Sequence, residues 1–155
     1  GGTWPVVLAA LGPKMLDLSA ELTRGAIPYN VTPEHTASAK SILGADKWLA
    51  VEQKVCLEES PSEARALARR ELERYLGLPN YRQCWHKLGF SEGDLDNGGS
   101  DRFIDAMVVW GNEDKIQRRL DEHFDAGATH VCIQPVHTPD DLEAAERTLE
   151  AFAPS

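Results

Sequence analysis

A chain of 155 residues, 42% of them hydrophobic, is long enough for one domain with a real core. Its 25 acidic against 16 basic residues give a formal charge of −9 and argue against nonspecific nucleic-acid binding, which needs a basic surface. No apolar run reaches the roughly 18 residues of a membrane span, no signal-peptide pattern opens the chain, and the odd, widely spaced Cys56, Cys84 and Cys132 read as reduced thiols of a cytoplasmic protein.

Four strand-then-helix units follow one another, and they share a punctuation. Residues 4–11 form an apolar run that reads as a buried strand, with 1–3 as its lead-in. Gly12-Pro13 then turns the chain into a helix whose Met15, Leu16, Leu18 and Leu22 recur at helical spacing. Residues 26–31 read as a second strand, with Thr32-Pro33 opening a helix that Gly44 stops near Leu43. Residues 48–57 read as a third, followed by Ser60-Pro61, where Ser60 and Glu63 fit a capping box. Residues 130–134 read as the fourth, and Thr138-Pro139 opens a last helix to about Phe152. Each cap residue can satisfy an orphan amide, and each proline presets the first helical φ. Gly25 and Gly127 stand before strands, where a left-handed helix exit is expected. This alternation predicts a parallel sheet with right-handed crossovers.

The third connection is far longer than a crossover requires, at about seventy residues. Helices are expected over 62–76 and 80–88, a loop over 90–100, an apolar helix over 101–110, and another over 113–126 capped by Asn112. The whole chain, residues 1–155, reads as a single partial domain with a helical insertion at about 80–111.

The first junction carries the clearest chemistry. A strand running into a helix N-terminus through a glycine presents free amides and the positive end of the helix dipole, which suits an anion and most often a phosphate. Lys14 opposes the dipole but would help to hold a bound anion. The plainer reading is a tight turn that binds nothing.

The run Ala-Ala-Leu-Gly-Pro-Lys-Met-Leu-Asp-Leu-Ser-Ala-Glu-Leu from Ala9, closed by Arg24-Gly25, resembles the second-half motif of the luciferase-like monooxygenase superfamily. It is most similar to the branch that uses the deazaflavin coenzyme F420. Arg24 departs from the motif, standing where the family has an acidic residue. The resemblance implies a (β/α)8 barrel in which the backbone near Leu11 and Gly12 receives the cofactor phosphate, so that Leu11, Gly12, Pro13, Lys14 and Met15 form the cofactor-binding turn. Tyr29, Asn30 and Thr32, at the end of the neighbouring strand, are further cofactor-binding candidates, against turn and cap chemistry for Asn30 and Thr32. A complete barrel takes about 250 residues and eight strands. Four strands, with the anion turn in the first unit, therefore make the chain the C-terminal half of such a barrel.

The implied activity is that of an F420-dependent oxidoreductase passing hydride between deazaflavin and a small organic substrate, with FMN as the alternative cofactor. The fragment alone is expected to be inactive and its catalytic residues to lie in the missing N-terminal half-barrel, so none is named. Unpaired edge strands make a homo-oligomer the expectation. The rival reading is a non-catalytic open-sheet α/β binding module, with helices on both faces.

Other candidates are weaker. Residues 94–98 look like a calcium loop but lack its third spaced ligand and its closing glutamate. His35, His86, His123, His130 and His137 show no zinc spacing, and no metal site is expected. Glu52 and Lys54 share a strand face and could form a buried pair. Gln134 and His137 stand at the carboxyl end of the last strand, where barrels build their sites.

Overall fold

The computed structural model describes residues 4–153; the expected lead-in at 1–3 lies outside them. Five strands form one sheet: β1 (Val7–Ala9), β2 (Gly25–Ile27), β3 (Trp48–Cys56), β4 (Val108–Trp110) and β5 (His130–Pro135), every pairing parallel. The helices are α1 (Pro13–Leu22), α2 (Pro33–Leu43), α3 (Pro61–Leu76), α4 (Pro79–Lys87), α5 (Glu92–Leu95), α6 (Asp101–Met107), α7 (Glu113–Asp125) and α8 (Leu142–Ala151).

The nine-residue β3 organises the sheet. The amides of Trp48 and Glu52 donate to the carbonyls of Arg24 and Pro28, and the Gly111 amide donates to that of Cys56. One edge of β3 therefore meets β2 at its start and β4 at its end. The amides of Thr129 and Val136 reach Leu49 and Val55, so β5 takes the other edge.

Side chains of β3 alternate between two faces, and the faces differ in kind. Leu49, Val51 and Val55 are fully buried and pack with Leu16 of α1, Ala39 and Leu43 of α2, and Ile116 and Leu120 of α7. Helices α1, α2 and α7 thus cover one face of β3, in the manner of the outer ring of a barrel. On the other face Cys56 joins a cluster with Ala68 and Leu72 of α3, Trp85 of α4 and Phe103 of α6, so helices lie on both faces of β3.

Several sequence expectations need correction. The described residues form five strands, where four were expected. The expected helix over 101–110 ends at Met107, and the β-branched pair Val108-Val109 with Trp110 adds a strand to the end of β3. The first two strands, of three residues each, are shorter than read. The expected loop over 90–100 contains α5, closed by a capping box between Ser91 and Asp94. The last helix starts at Leu142, capped by Asp141, and not at Pro139. Ser60 makes no capping bond to α3; its amide is held at 2.7 Å by Glu58. Gly127 has the expected positive φ of 101°, but Gly25 does not. Gly25 is required for space, since a Cβ there would lie 1.9 Å from the Trp48 carbonyl oxygen.

Candidate functional site

Two polar features lie at the carboxyl ends of the strands. The first is a network on the face of β3 that α3 covers. Glu52 and Lys54, two residues apart on β3, point the same way, and Lys54 Nζ lies 3.0 Å from Glu52 Oε1. The Lys54 side chain has no exposed surface. Its charge is answered further by Gln134 Oε1 at 3.2 Å, Glu71 at 3.8 Å and the ring of Tyr29 at 4.0 Å. Tyr29 also donates to Gln134, Tyr75 donates to Tyr29 at 3.4 Å, and Gln134 Nε2 donates to Glu71 at 3.1 Å.

Burial sets the protonation states here. It pushes the Glu52 carboxyl upward, against the pull of Lys54, and pushes Tyr75 up to about 12 with help from its bond to Tyr29. Tyr29 is raised for the same first reason. Both tyrosines are therefore neutral hydroxyl donors at neutral pH. A hollow of about 270 Å3, lined in part by Glu71, Gln134 and His137, lies alongside.

The second feature is the turn from β1 into α1. Gly12 has extended backbone (φ −96°, ψ 162°) and open space where a Cβ would sit. The amides of Met15 and Leu16 both return to the Gly12 carbonyl at 3.1 Å, which leaves the turn fewer free donors than a bare helix N-terminus. Gly12, Pro13 and Met15 open onto a cavity of about 460 Å3 between α1, α2 and α4, whose other walls include Leu11, His35 and Lys87. Lys14 is exposed at the start of α1.

The remaining sequence candidates divide between these places. Tyr29 belongs to the Lys54 network. Thr32 caps α2 by accepting the His35 amide at 3.5 Å, and it is buried. Asn30 is 2% exposed at a positive φ of 54°; its amide donates to Glu52 at 3.2 Å and its carbonyl accepts the Trp85 indole at 3.1 Å. His137 binds its neighbour, Nδ1 lying 2.7 Å from the Thr138 carbonyl. The acidic 94–98 stretch is spent on caps and arginines, Asp94 on Ser91, Ser100 and Arg102, and Asp96 on Arg82. Among the described residues no three His, Cys, Asp or Glu side chains converge as metal ligands. None of the described helices is long and apolar enough to cross a membrane.

Sequence reasoning missed His35, Lys87, Glu71 and Tyr75. His35 had a legible signal, because the third residue after a Thr-Pro cap faces back toward the preceding turn. Glu71 and Tyr75 come from α3 and Lys87 from α4, and the packing of these helices against the sheet is announced by no local pattern.

No protein-family model matches the chain, and no curated protein does. Solved structures do match. An F420-dependent secondary alcohol dehydrogenase in complex with an F420-acetone adduct superposes with a TM-score of 0.65 at 12% identity, over 97% of this chain and 48% of the other. The coenzyme F420-dependent tetrahydromethanopterin reductase from Methanopyrus kandleri gives 0.59 at 20% identity, over 92% and 48%. The EDTA monooxygenase of Chelativorans sp. BNC1 gives 0.59 at 15%, over 92% and 42%. The chain spans about half the length of each. Its fold is half of a (β/α)8 barrel. The half-barrel is thus the architecture implied by the resemblance to the luciferase-like superfamily, and its solved neighbours are a dehydrogenase, a reductase and a monooxygenase.

Proposed function

We propose that the half-barrel is the C-terminal, phosphate-holding part of an F420-dependent oxidoreductase that transfers hydride between deazaflavin and a small organic substrate. One observation carries the reading: the Gly12–Met15 turn, at the start of a ten-residue helix, opens into a cavity at the strand ends of a fold shared with two F420-dependent enzymes. The residues fit the phosphate end of such a cofactor. The turn offers a helix N-terminus, uncrowded space at Gly12, and Lys14 and Lys87 nearby. Bound there, the deazaflavin ring would supply hydride chemistry, while this chain anchors and orients the tail.

The turn reads a phosphate and not a ring, so FMN remains the second reading. Residues that act on substrate belong to the other half of the barrel. The open edge of β1, with Trp4 and Val6 exposed just before it and Leu22 exposed at the end of α1, supports a partner there, either that other half or a second copy of this chain.

Equilibrium dialysis of the chain against F420 and against FMN, read by visible absorbance, tests the proposal. Weak retention of F420 that Gly12→Asp abolishes is expected, since the space at Gly12 lets the variant fold. Retention of neither cofactor, or retention unaffected by Gly12→Asp, would overturn it.

A further inference from the structure

The sheet has two open edges, and each is flanked by an apolar helix face that nothing among the described residues covers. At β1 the Val6 carbonyl accepts the Arg24 amide, so alternation along the strand turns Val6 and Leu8 toward β2. The N–H and C=O groups of Val7 and Ala9 are left at the open edge. At β5 the Val136 amide donates to Val55, and the same alternation turns Cys132 and Gln134 toward β3. Val131 and Ile133 are left at the other edge. Two donors and two acceptors therefore stand on each side, on strands of one direction.

Met15, Leu18 and Leu22 make an exposed stripe on α1, and Leu142 and Leu149 make one on α8, each at the spacing of a single helix face. The concave side of the sheet between the two edges is bare as well. Ala9, opposite in direction to buried Ala10, and Cys132, on the same side as Gln134, are both exposed there. In a closed barrel that side is packed interior.

The order of the elements says what can cover these surfaces. Beside β1 and α1 the missing neighbour is a parallel strand whose helix lies next to α1 in an outer ring. Beside β5 and α8 it is the converse, and the chain itself offers both. Its path β1-β2-β3-β5 is four strands long, with β4 added only beyond the end of β2, and four is half of the eight that close a barrel. A head-to-tail contact whose rotation closes makes a ring, here after two copies. The helix charges agree, since helices of the ring run side by side in one direction. On α1, exposed Lys14 and Arg24 stand at the two ends with Asp17 and Glu21 between them. On α8, exposed Glu143 and Glu150 stand toward the ends with Arg147, beside Glu146, between them.

We infer that two copies of this chain close on each other as one barrel, the β1 edge and α1 of each meeting the β5 edge and α8 of the other. The contact is made twice, across a two-fold axis, and it encloses both concave sides. Closure follows from the half-barrel fold and needs no cofactor at the Gly12 turn, of which the pair carries two.

Light scattering of the unmodified chain over a range of micromolar concentrations should plateau at twice 17.1 kDa. Cys132 reports which edges meet. Val7→Cys and Ala9→Cys each place a thiol on the concave side of β1, and mild oxidation should join at least one of them to Cys132 of the other copy, in peptides identified by mass spectrometry. Within one copy β1 and β5 lie three strand spacings apart, about 14 Å, beyond disulfide reach. Adding Cys132→Ser should remove the cross-link and keep the mass. A monomer at every concentration, a mass that keeps growing, or disulfides joining like to like would overturn closure. So would a plateau at the dimer mass with no cross-link between β1 and β5 in either variant. A closed pair that retains neither F420 nor FMN would leave closure standing and remove the proposed cofactors, and a monomer that retains F420 would do the reverse.

Discussion

Lys54 and Glu52 form an ion pair 3.0 Å long in which the lysine side chain has no contact with solvent and the glutamate almost none. Removing one partner strands the other charge, and buried pairs broken in this way lose about 3–5 kcal/mol. Lys54→Met should therefore destabilise the chain by that order in urea unfolding. The double variant Lys54→Met/Glu52→Gln should recover most of the loss. Because burial already raises Glu52, the single variant's deficit should shrink as pH falls and its carboxyl takes up a proton. A deficit independent of pH, with no rescue in the double variant, would show that the pair is not coupled as the geometry indicates.

His123 predicts acid sensitivity. Its Nε2 donates to Gln53 Oε1 at 2.9 Å, because the Gln53 amide nitrogen is already committed to two carbonyls, and its Nδ1 accepts from Thr36 at 2.8 Å. Both bonds suit the neutral ring. Burial, with Arg119 adding to it, lowers the pKa to about 4 from an ordinary 6.5. A depressed histidine stabilises the fold above its unfolded pKa and loses that contribution as pH falls. Stability should thus decline between about pH 6.5 and 4, by on the order of 2–3 kcal/mol from this residue. Melting curves of the wild type and His123→Gln across that range should converge at the acid end. Parallel curves would refute the assignment.

Two glycines should respond very unequally to one methyl group. Gly25→Ala drives a Cβ to 1.9 Å from the Trp48 carbonyl oxygen and must push β2 from β3, which should cost about 3 kcal/mol or more. Gly12→Ala meets nothing within 4 Å at a φ any residue adopts, and should cost about 1 kcal/mol or less. Chemical denaturation of the two variants side by side decides it; equal losses would contradict the packing described.

The open β1 edge should make the isolated chain associate. Size-exclusion chromatography with light scattering at micromolar concentration should show species larger than 17.1 kDa. Val6→Lys with Leu22→Lys, both at exposed positions, should shift the chain toward monomer without lowering its melting temperature. A monomeric wild type would count against this surface as a contact.

How far the sequence could be read depended on how local the cause was. Pro13, Pro33 and Pro61 open helices as expected, since a proline and its preceding residue settle the matter within one turn. Pro139 fails because Asp141 offers a competing cap two residues later, whose side chain accepts the Ala144 amide. The Val108-Val109-Trp110 strand was hidden by a helical pattern running into it from Phe103, and only the free edge at the end of β3 makes it a strand. The Glu52–Lys54 pair could be foreseen from its spacing of two. Tyr29 and Gln134 could not be paired in advance, being 105 residues apart.

The central place of β3 also bears on the order in which the chain folds. Its contacts with β5 join residues 80 apart, and those with the β4 region join residues 54 apart. Its contact with β2, by contrast, closes within the first third of the chain. Chain entropy favours the shorter closures, so β1, β2 and the start of β3 would assemble first and β5 would dock last. Until it does, one whole edge of the longest strand waits for a partner about half the chain away, and slow steps in refolding should trace to that wait.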